Sequence, residues 1–191
     1  MELVKKYIKE SIQVKENLLA DEKLISRISD AAALCTRSLA AGGKVLFAGN
    51  GGSAADAQHL AGELVNRFGF ERPALAAMSL TTDPSVLTSI SNDYSFNRII
   101  ARQIEAVAKE GDVLFAISTS GNSENIIAGI HEARQKGMKI IGLTGKSGGK
   151  MSELCDILIN IPSEDTPRIQ ESHILAGHII CSLIEISLFK Q

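Results

Sequence analysis

The sequence contains no tryptophan, only four prolines and few aromatic residues, and its three cysteines are an odd number at unrelated spacings. Cys35, Cys155 and Cys181 therefore predict neither a disulfide framework nor a zinc knuckle, and we expect buried thiols in a cytoplasmic protein. An excess of one charge sign is also absent, because 20 basic and 22 acidic residues give a net charge of −2. This balance argues against nucleic acid or an anionic membrane as a partner.

Long hydrophobic runs are scarce as well. Residues 1–19 carry both charge signs, so we expect this segment to be neither a secretory signal nor a membrane anchor. The most apolar stretch, Ile174 to Phe189, is interrupted by His178 and Glu185 and is expected to be too short to span a bilayer.

Short apolar runs alternate with helical patterns along the chain. The runs at 44–49, 74–80, 112–118, 139–144 and 156–161 predict strands, and the patterns at 2–18, 22–40, 54–68, 124–136, 149–154 and 167–189 predict helices. Ser53, Asp83, Ser123 and Thr166 are the expected N-caps, and Gly69 and Gly137 fit helix ends. We expect one α/β domain over residues 1–191. It is a three-layer sandwich around a five-stranded parallel sheet of flavodoxin-like order, with the helical segment 1–42 packed outside.

Two loops that follow predicted strands have the composition of phosphate-binding turns. The loops are Gly49–Ser53 and Ser118–Ser123, in which glycines allow close backbone approach and hydroxyls add donors before a helix begins. They suit a phosphate monoester held by neutral donors, although capped turns have similar residues. The first loop lacks the Gly-Lys-Ser/Thr ending of a Walker loop and the third glycine of a dinucleotide fingerprint, so no nucleotide cofactor is expected.

Ionisable residues concentrate on two predicted helices. His59 and Glu63 are four residues apart and share a helix face, which suits metal binding, acid/base chemistry or a surface interaction. Gln170 and His178 lie about 12 Å apart along the last helix, so a shared site needs a ligand between them or a second subunit. His178 is also compatible with a neutral core histidine. Asn92 and Asp93 could bind sugar hydroxyls or cap a helix.

Five motifs in order resemble the phosphoheptose isomerases of the sugar-isomerase (SIS) domain superfamily. They are NGGSAADAQHLAGEL (50–64), SNDYSFNRI (91–99), FAISTSGNSENI (115–126), LTGKSGGKM (143–151) and RIQESHILAGHIICSLIE (168–185). The resemblance covers nearly the whole chain. It implies conversion of sedoheptulose 7-phosphate to D-glycero-D-manno-heptose 7-phosphate, the first step toward nucleotide-activated heptose for surface polysaccharide. It also implies a homotetramer with active sites at subunit interfaces and a zinc ion.

The resemblance also implies roles for individual residues. Glu63 is the expected general base and His178 its acid/base partner, and the expected zinc ligands are His59, Glu63, Gln170 and His178. A carboxylate that binds zinc tightly could hardly act as a free base, and this conflict stays open. The expected substrate contacts are Asn50, Gly51, Gly52, Ser53, Glu63, Arg67, Asn92, Asp93, Ser118, Thr119, Ser120, Ser123 and Gln170.

The chemistry explains why these residue types belong together. Ketose–aldose isomerisation removes a proton beside a carbonyl and returns it to the neighbouring carbon through an enediol, which a carboxylate and a histidine can catalyse. The alternative is a non-catalytic SIS-domain tetramer that binds the replication initiator. Such relatives typically lack the complete acid/base set. A sugar-phosphate-sensing regulatory domain generally accompanies a DNA-binding domain, for which this chain has no room.

Overall fold

The computed structural model describes residues 1–190 around a five-stranded sheet. The strands are β1 (Val45–Ala48), β2 (Ala77–Ser79), β3 (Val113–Ile117), β4 (Lys139–Thr144) and β5 (Ile157–Asn160). Their order is β2-β1-β3-β4-β5, and every neighbouring pair is parallel. The predicted three-layer architecture and flavodoxin-like strand order are confirmed.

Helices cover both faces of the sheet. They are α1 (Glu2–Leu19), α2 (Glu22–Ala40), α3 (Gly52–Val65), α4 (Pro84–Asp93), α5 (Ile99–Val107), α6 (Glu124–Gln135) and α7 (Thr166–Phe189), with short 3₁₀ turns at Phe96–Arg98 and Gly149–Glu153. Residues of α1, α2, α3 and α7 share one core cluster, and residues of α4, α5 and α6 share the other. The helices that follow β1 and β3 therefore leave toward opposite faces. This divergence creates a crevice between adjacent strands, where open α/β sheets bind ligands.

Two of the four predicted N-caps, Ser53 and Thr166, need correction. Asp83 caps α4 as expected, since its Oδ1 accepts hydrogen bonds from the N–H groups of Ser85 and Val86. Ser53 lies inside α3 because Gly51 is the N-cap, and Thr166 is the first residue of α7 after Asp165. Ser123 holds the N-cap position of α6 without a side-chain hydrogen bond to the helix.

Helix α3 ends at Val65, three residues before the predicted end. The Arg72 guanidinium donates to the carbonyl oxygens of Glu63 and Leu64, both at 2.8 Å, and so replaces the missing last turn. Gly69 is therefore not a helix end, although Gly137, with φ of 72°, follows the end of α6 as predicted. Strand β2 is also shorter than predicted, because the Leu75 N–H donates to the Leu64 carbonyl instead of joining the ladder.

Helix α7 is longer than the apolar run from which it was predicted. Its 24 residues include a window of mean hydropathy 1.6, so length and composition alone would allow it to cross a membrane, contrary to the expectation from sequence. Its apolar residues instead pack in the core. Ile169, Ala176, Ile180 and Ile184 belong to the same cluster as residues of α2 and α3. The hydropathy of α7 is that of a core helix.

Candidate active site

The first loop joins β1 to α3 and depends on glycine at two positions. Gly51, the N-cap of α3, has φ of 53°, in the region that favours glycine. A Cβ at Gly52 would lie only 2.5 Å from the Gln170 Nε2 atom, so glycine lets the side chain of Gln170 lie directly against the start of α3. The amino end of α3 therefore presents backbone at the loop, where the N–H groups of Ser53 and Ala54 donate to the carbonyl oxygens of Asn50 and Gly51.

The second loop joins β3 to α6 and gathers three hydroxyl groups. The Ser118 Oγ atom lies 2.9 Å from the Ser123 Oγ atom and 3.4 Å from the Ser120 Oγ atom. The loop is held from the neighbouring strand, because the Gly145 N–H donates to the Thr119 carbonyl at 2.9 Å. This packing fixes the hydroxyls at the amino end of α6.

A small cavity of about 80 Å³ lies between the two loops, at the crevice between β1 and β3. It is lined by Asn50, Ser53, Ile117, Ser118, Thr119, Ser123 and Gln170. The lining supplies hydroxyls and carboxamides without a cation, and two helices begin beside it, so it suits an anion held by neutral donors. Five of the predicted substrate contacts other than Gln170 line this cavity.

A larger cavity lies elsewhere in the molecule. It has a volume of about 490 Å³ between β2, α4 and α5, and its walls include Met78, Leu80, Val86 and Ile90. None of the predicted site residues borders it, and its lining is mostly apolar. We therefore locate the site by its chemistry, at the smaller cavity, and not by volume.

Asn50 makes a contact that sequence reasoning missed. Its Nδ2 donates to the Asn125 Oδ1 at 2.9 Å, and the Asn125 Nδ2 donates back to the Asn50 Oδ1 at 2.8 Å. Asn125 lies in the first turn of α6, so this reciprocal pair joins the two loops across the crevice. No spacing signal in the sequence links residues 75 positions apart.

His59, Glu63 and His178 converge on one point, as the resemblance implied. The Nε2 atoms of His59 and His178 lie 2.8 Å apart, and the His59 Nε2 atom lies 3.3 Å from the Glu63 Oε1 atom. The rings of His59 and His178 meet edge to face with centroids 5.0 Å apart, and Phe68 packs on His178 at 5.6 Å. His178 is thus a member of a polar cluster and not an isolated core histidine.

The cavity and this cluster belong to one seam between α3 and α7. On α3, the residues Gly52, Asp56, His59 and Glu63 recur at three- and four-residue spacing and so form one stripe. Gln170 lies against Gly52 at one end of the seam, and His178 lies against His59 about two turns further along. A ligand that lies along the seam can therefore touch both ends.

Asp56 lies between the two ends and was not predicted as a site residue. Its Oδ2 atom is buried and has no hydrogen-bond partner among the described residues. Burial raises the pKa of this carboxyl, and the nearby His59 partly offsets the effect by lowering it. An unpaired buried acceptor at this point offers a partner for a ligand hydroxyl. Its place on the stripe was the signal in the sequence.

The three converging side chains fit a metal ion. Two imidazole nitrogens and one carboxylate oxygen lie within 4.8 Å of one another, and two histidines with a glutamate are a known ligand set of catalytic zinc. Gln170, the fourth expected ligand, lies with its side chain against Gly52, eight residues before His178 and so about 12 Å from it along α7.

Six expected substrate contacts neither line the cavity nor belong to the cluster. Gly51, Gly52 and Ser120 still lie on the two loops beside the cavity, whereas Asn92, Asp93 and Arg67 lie on neither loop. Asn92 and Asp93 are exposed in the last turn of α4, where the Asn92 Nδ2 donates to the Asp93 Oδ1 at 2.9 Å. They end α4 and do not cap the helical segment that follows, whose 3₁₀ turn has Ser95 as its N-cap. Arg67 is exposed, and its Nε atom lies 3.8 Å from the Glu71 Oε2 atom. These three assignments stay predictions.

A buried ion pair supports the far end of the seam. The Glu185 carboxylate on α7 accepts hydrogen bonds from the N–H groups of Phe68 and Gly69, at 2.9 and 2.7 Å, and from the Arg72 Nε at 3.0 Å. Burial raises the pKa of Glu185, but these hydrogen bonds and the Arg72 charge outweigh it and lower the pKa. The pair fixes the segment that follows Glu63 against α7. In the sequence, the only sign of this ion pair is Glu185, a single charged residue in an apolar run.

Comparison with known proteins agrees with this geometry. The SIS domain family model matches residues 6–145. The phosphoheptose isomerase of Burkholderia pseudomallei strain K96243 is 55% identical over 96% of this chain and 93% of its own, and that of Aneurinibacillus thermoaerophilus is 53% identical over 98% and 95%. The structure of the Neisseria gonorrhoeae phosphoheptose isomerase superposes with a TM-score of 0.90 at 44% identity, covering 96% of this chain and 97% of that one.

The match to the SIS domain model, together with the parallel sheet and its hydroxyl-rich loops, identifies a SIS-domain protein. Two phosphoheptose isomerases are more than 50% identical to this chain over almost its full length, which narrows the assignment from the SIS domain to one family that contains it. The chain belongs to the phosphoheptose isomerase family.

Proposed function

We propose that this chain interconverts sedoheptulose 7-phosphate and D-glycero-D-manno-heptose 7-phosphate, an aldose–ketose isomerisation that starts the synthesis of nucleotide-activated heptose. The observation that carries the proposal is the convergence of a carboxylate from α3 and an imidazole from α7 on one seam with a hydroxyl-lined cavity. The family of the most similar relatives supports the choice of substrate.

In this proposal the cavity between the loops binds the phosphate group. Ser53, Ser118, Thr119 and Ser123 donate hydroxyl hydrogen bonds, and the backbone of Gly51 and Gly52 contributes at the amino end of α3. Ser120 and Gln170 border the same region. Binding the phosphate at one end of the seam fixes the sugar along it, so that the reacting carbons meet the catalytic groups.

At the other end of the seam, Glu63 moves a proton between adjacent carbons and His178 exchanges the proton of the substrate oxygen. The close approach of the Glu63 carboxylate and both imidazoles supports these roles. The unpaired Asp56 oxygen is placed to accept a hydrogen bond from a hydroxyl of the bound sugar chain. Glu63 and His178 act on atoms that an enediol reaction must protonate or deprotonate, whereas Asp56 would position the sugar.

We further propose a zinc ion held by His59, Glu63 and His178. Gln170, the fourth ligand that the family resemblance implies, would join them by turning its side chain from Gly52 toward the cluster. When bound, the ion would polarise the substrate carbonyl and stabilise enediolate charge. If zinc takes one oxygen of Glu63, the second oxygen stays available for the proton.

The proposal includes a cytoplasmic homotetramer in which helices of residues 1–42 form contacts between copies. Val4, Ile8 and Ile12 recur at four-residue spacing on one face of α1 and are each about half exposed. An apolar stripe of this kind favours a protein contact. Copies assembled through it could bring Asn92, Asp93 and Arg67 to a neighbouring site. Balanced charge supports the absence of nucleic-acid and membrane partners.

The test is a coupled assay of purified protein with sedoheptulose 7-phosphate beside five- and six-carbon ketose phosphates. We expect turnover of the seven-carbon substrate in preference to the others. No turnover of any ketose phosphate by folded protein would contradict the proposal and favour the non-catalytic alternative, whose relatives typically lack the acid/base set that this chain keeps.

A further inference from the structure

We infer that Asn125 is a positioning residue for the phosphate cavity, acting through its reciprocal hydrogen bonds with Asn50. The inference rests on the proposed role of the cavity in binding phosphate. Asn125 does not line the cavity itself, whereas Asn50 does. It would therefore affect the ligand through the first loop and not by direct contact.

The hydrogen bonds between the two side chains are reciprocal, and they are buried on the Asn125 side and partly buried on the Asn50 side. Each carboxamide donates one N–H to the other and accepts one in return, at 2.9 and 2.8 Å, and the Asn125 residue is only 2% exposed. Each primary amide offers the donor and the acceptor that the other needs. Loss of Asn50 would leave the buried polar atoms of Asn125 unsatisfied, and loss of Asn125 would leave the half-buried Asn50 amide without its fixed partner.

The pair lies where the fold needs a connection. Helices α3 and α6 leave β1 and β3 toward opposite faces of the sheet, so the two loops separate immediately after the strands end. Asn50 belongs to the loop before α3, and Asn125 belongs to the first turn of α6. Their hydrogen bonds cross the crevice and set the distance between Ser53 on one side and Ser118 and Ser123 on the other.

The pair also orients the Asn50 amide. Each Nδ2 carries two hydrogens, and the bond to the Asn125 Oδ1 uses one of them. Because Asn50 lines the cavity, its second N–H remains as a donor for an anion there. Asn125 thus fixes which side of the Asn50 amide carries the nitrogen and which side carries the oxygen.

The test measures phosphate binding separately from turnover. The probes are inorganic phosphate, titrated by calorimetry, and steady-state kinetics with sedoheptulose 7-phosphate. Asn125→Leu should weaken phosphate binding by about tenfold or more and raise KM with little change in kcat, because Glu63 and His178 keep their places. The second variant is Asn125→Asp, and its control is Asn17→Asp at an exposed position of α1. The control should leave phosphate affinity and KM unchanged.

Asn125→Asp keeps the shape of the side chain and provides a second readout if Asn125→Leu does not fold. It retains an acceptor for the Asn50 N–H but sets a carboxylate oxygen against the Asn50 Oδ1, so phosphate binding should again weaken. Wild-type phosphate affinity in either folded variant would overturn the inference. If the wild type binds phosphate in an Asn125-dependent manner but does not turn over sedoheptulose 7-phosphate, the proposed substrate fails and the inference stands.

Discussion

Arg72 and Glu185 form an ion pair in the interior, with 3.0 Å between the Arg72 Nε and the Glu185 Oε1 and side chains only 1% and 2% exposed. The pair connects the segment after α3 to α7. Replacing Glu185 by Ala leaves the guanidinium buried without its counter-charge, so the free energy of unfolding should fall by about 3–5 kcal/mol. Urea denaturation measures the loss. Glu71→Ala, at an exposed ion pair, should change stability far less, and equal losses would contradict this account.

The same carboxylate predicts a stability change in acid. The folded-state pKa of Glu185 is lowered from its ordinary value of 4.5, so its contribution is complete above that value and is lost as the pH falls through the lowered pKa. Glu185→Gln should therefore flatten the pH dependence of the unfolding free energy below pH 4.5. An unchanged slope in that range would show that the carboxylate is not stabilised by the fold.

His173 predicts a pH dependence in a different range. Burial lowers its pKa to about 4, although the hydrogen bond to the Thr144 carbonyl opposes the shift. The folded state prefers the neutral ring, so stability should fall as the pH drops from 6.5 toward 4, by on the order of 3 kcal/mol. Denaturation of the wild type and His173→Gln across this range measures the effect. A wild type with constant stability between these values would contradict a buried neutral ring.

Gly177 sets the close approach of α7 to α3. A Cβ at this position would lie 2.6 Å from the Leu60 Cδ2 atom, inside a packed core. Gly177→Ala should therefore destabilise the fold by about 1–3 kcal/mol and reduce turnover, because it separates the two sides of the seam. The matched control is Gly62→Ala on α3, where no atom lies within 4 Å, and it should stabilise the helix by about 0.5–1 kcal/mol. Destabilisation of equal size by both would remove the steric explanation.

Much of the fold could be predicted because its signals are local. Apolar runs on both strand faces gave the parallel sheet, and hydroxyl- and glycine-rich loops marked the crevice. The pairs that build the site are not local: Asn50 with Asn125, and Arg72 with Glu185, are 75 and 113 positions apart. The start of α3 was misjudged because the positive φ of Gly51 begins the helix before Ser53. Its end was misjudged because Arg72 replaces the last helical turn.

Metal content tests the cluster of His59, Glu63 and His178. Protein purified without chelators should contain a stoichiometric divalent metal ion, and both His59→Ala and His178→Ala should lose it by elemental analysis. His131→Ala, at an exposed histidine of α6, is the control and should keep the metal. Gln170→Ala should lower the metal content if Gln170 is the fourth ligand, and should leave it unchanged if Gln170 borders only the phosphate cavity. Undiminished metal in His59→Ala would contradict the site.

The most direct measurement is the turnover number with sedoheptulose 7-phosphate for Glu63→Gln and His178→Ala. Each change removes a group that transfers a proton, so kcat should fall by about 10²–10⁴-fold while the protein stays folded. Glu71→Gln and His131→Ala, which alter the same residue types at exposed positions, should keep wild-type turnover. If either Glu63→Gln or His178→Ala turned over the substrate at the wild-type rate, proton transfer on the α3–α7 seam would be contradicted.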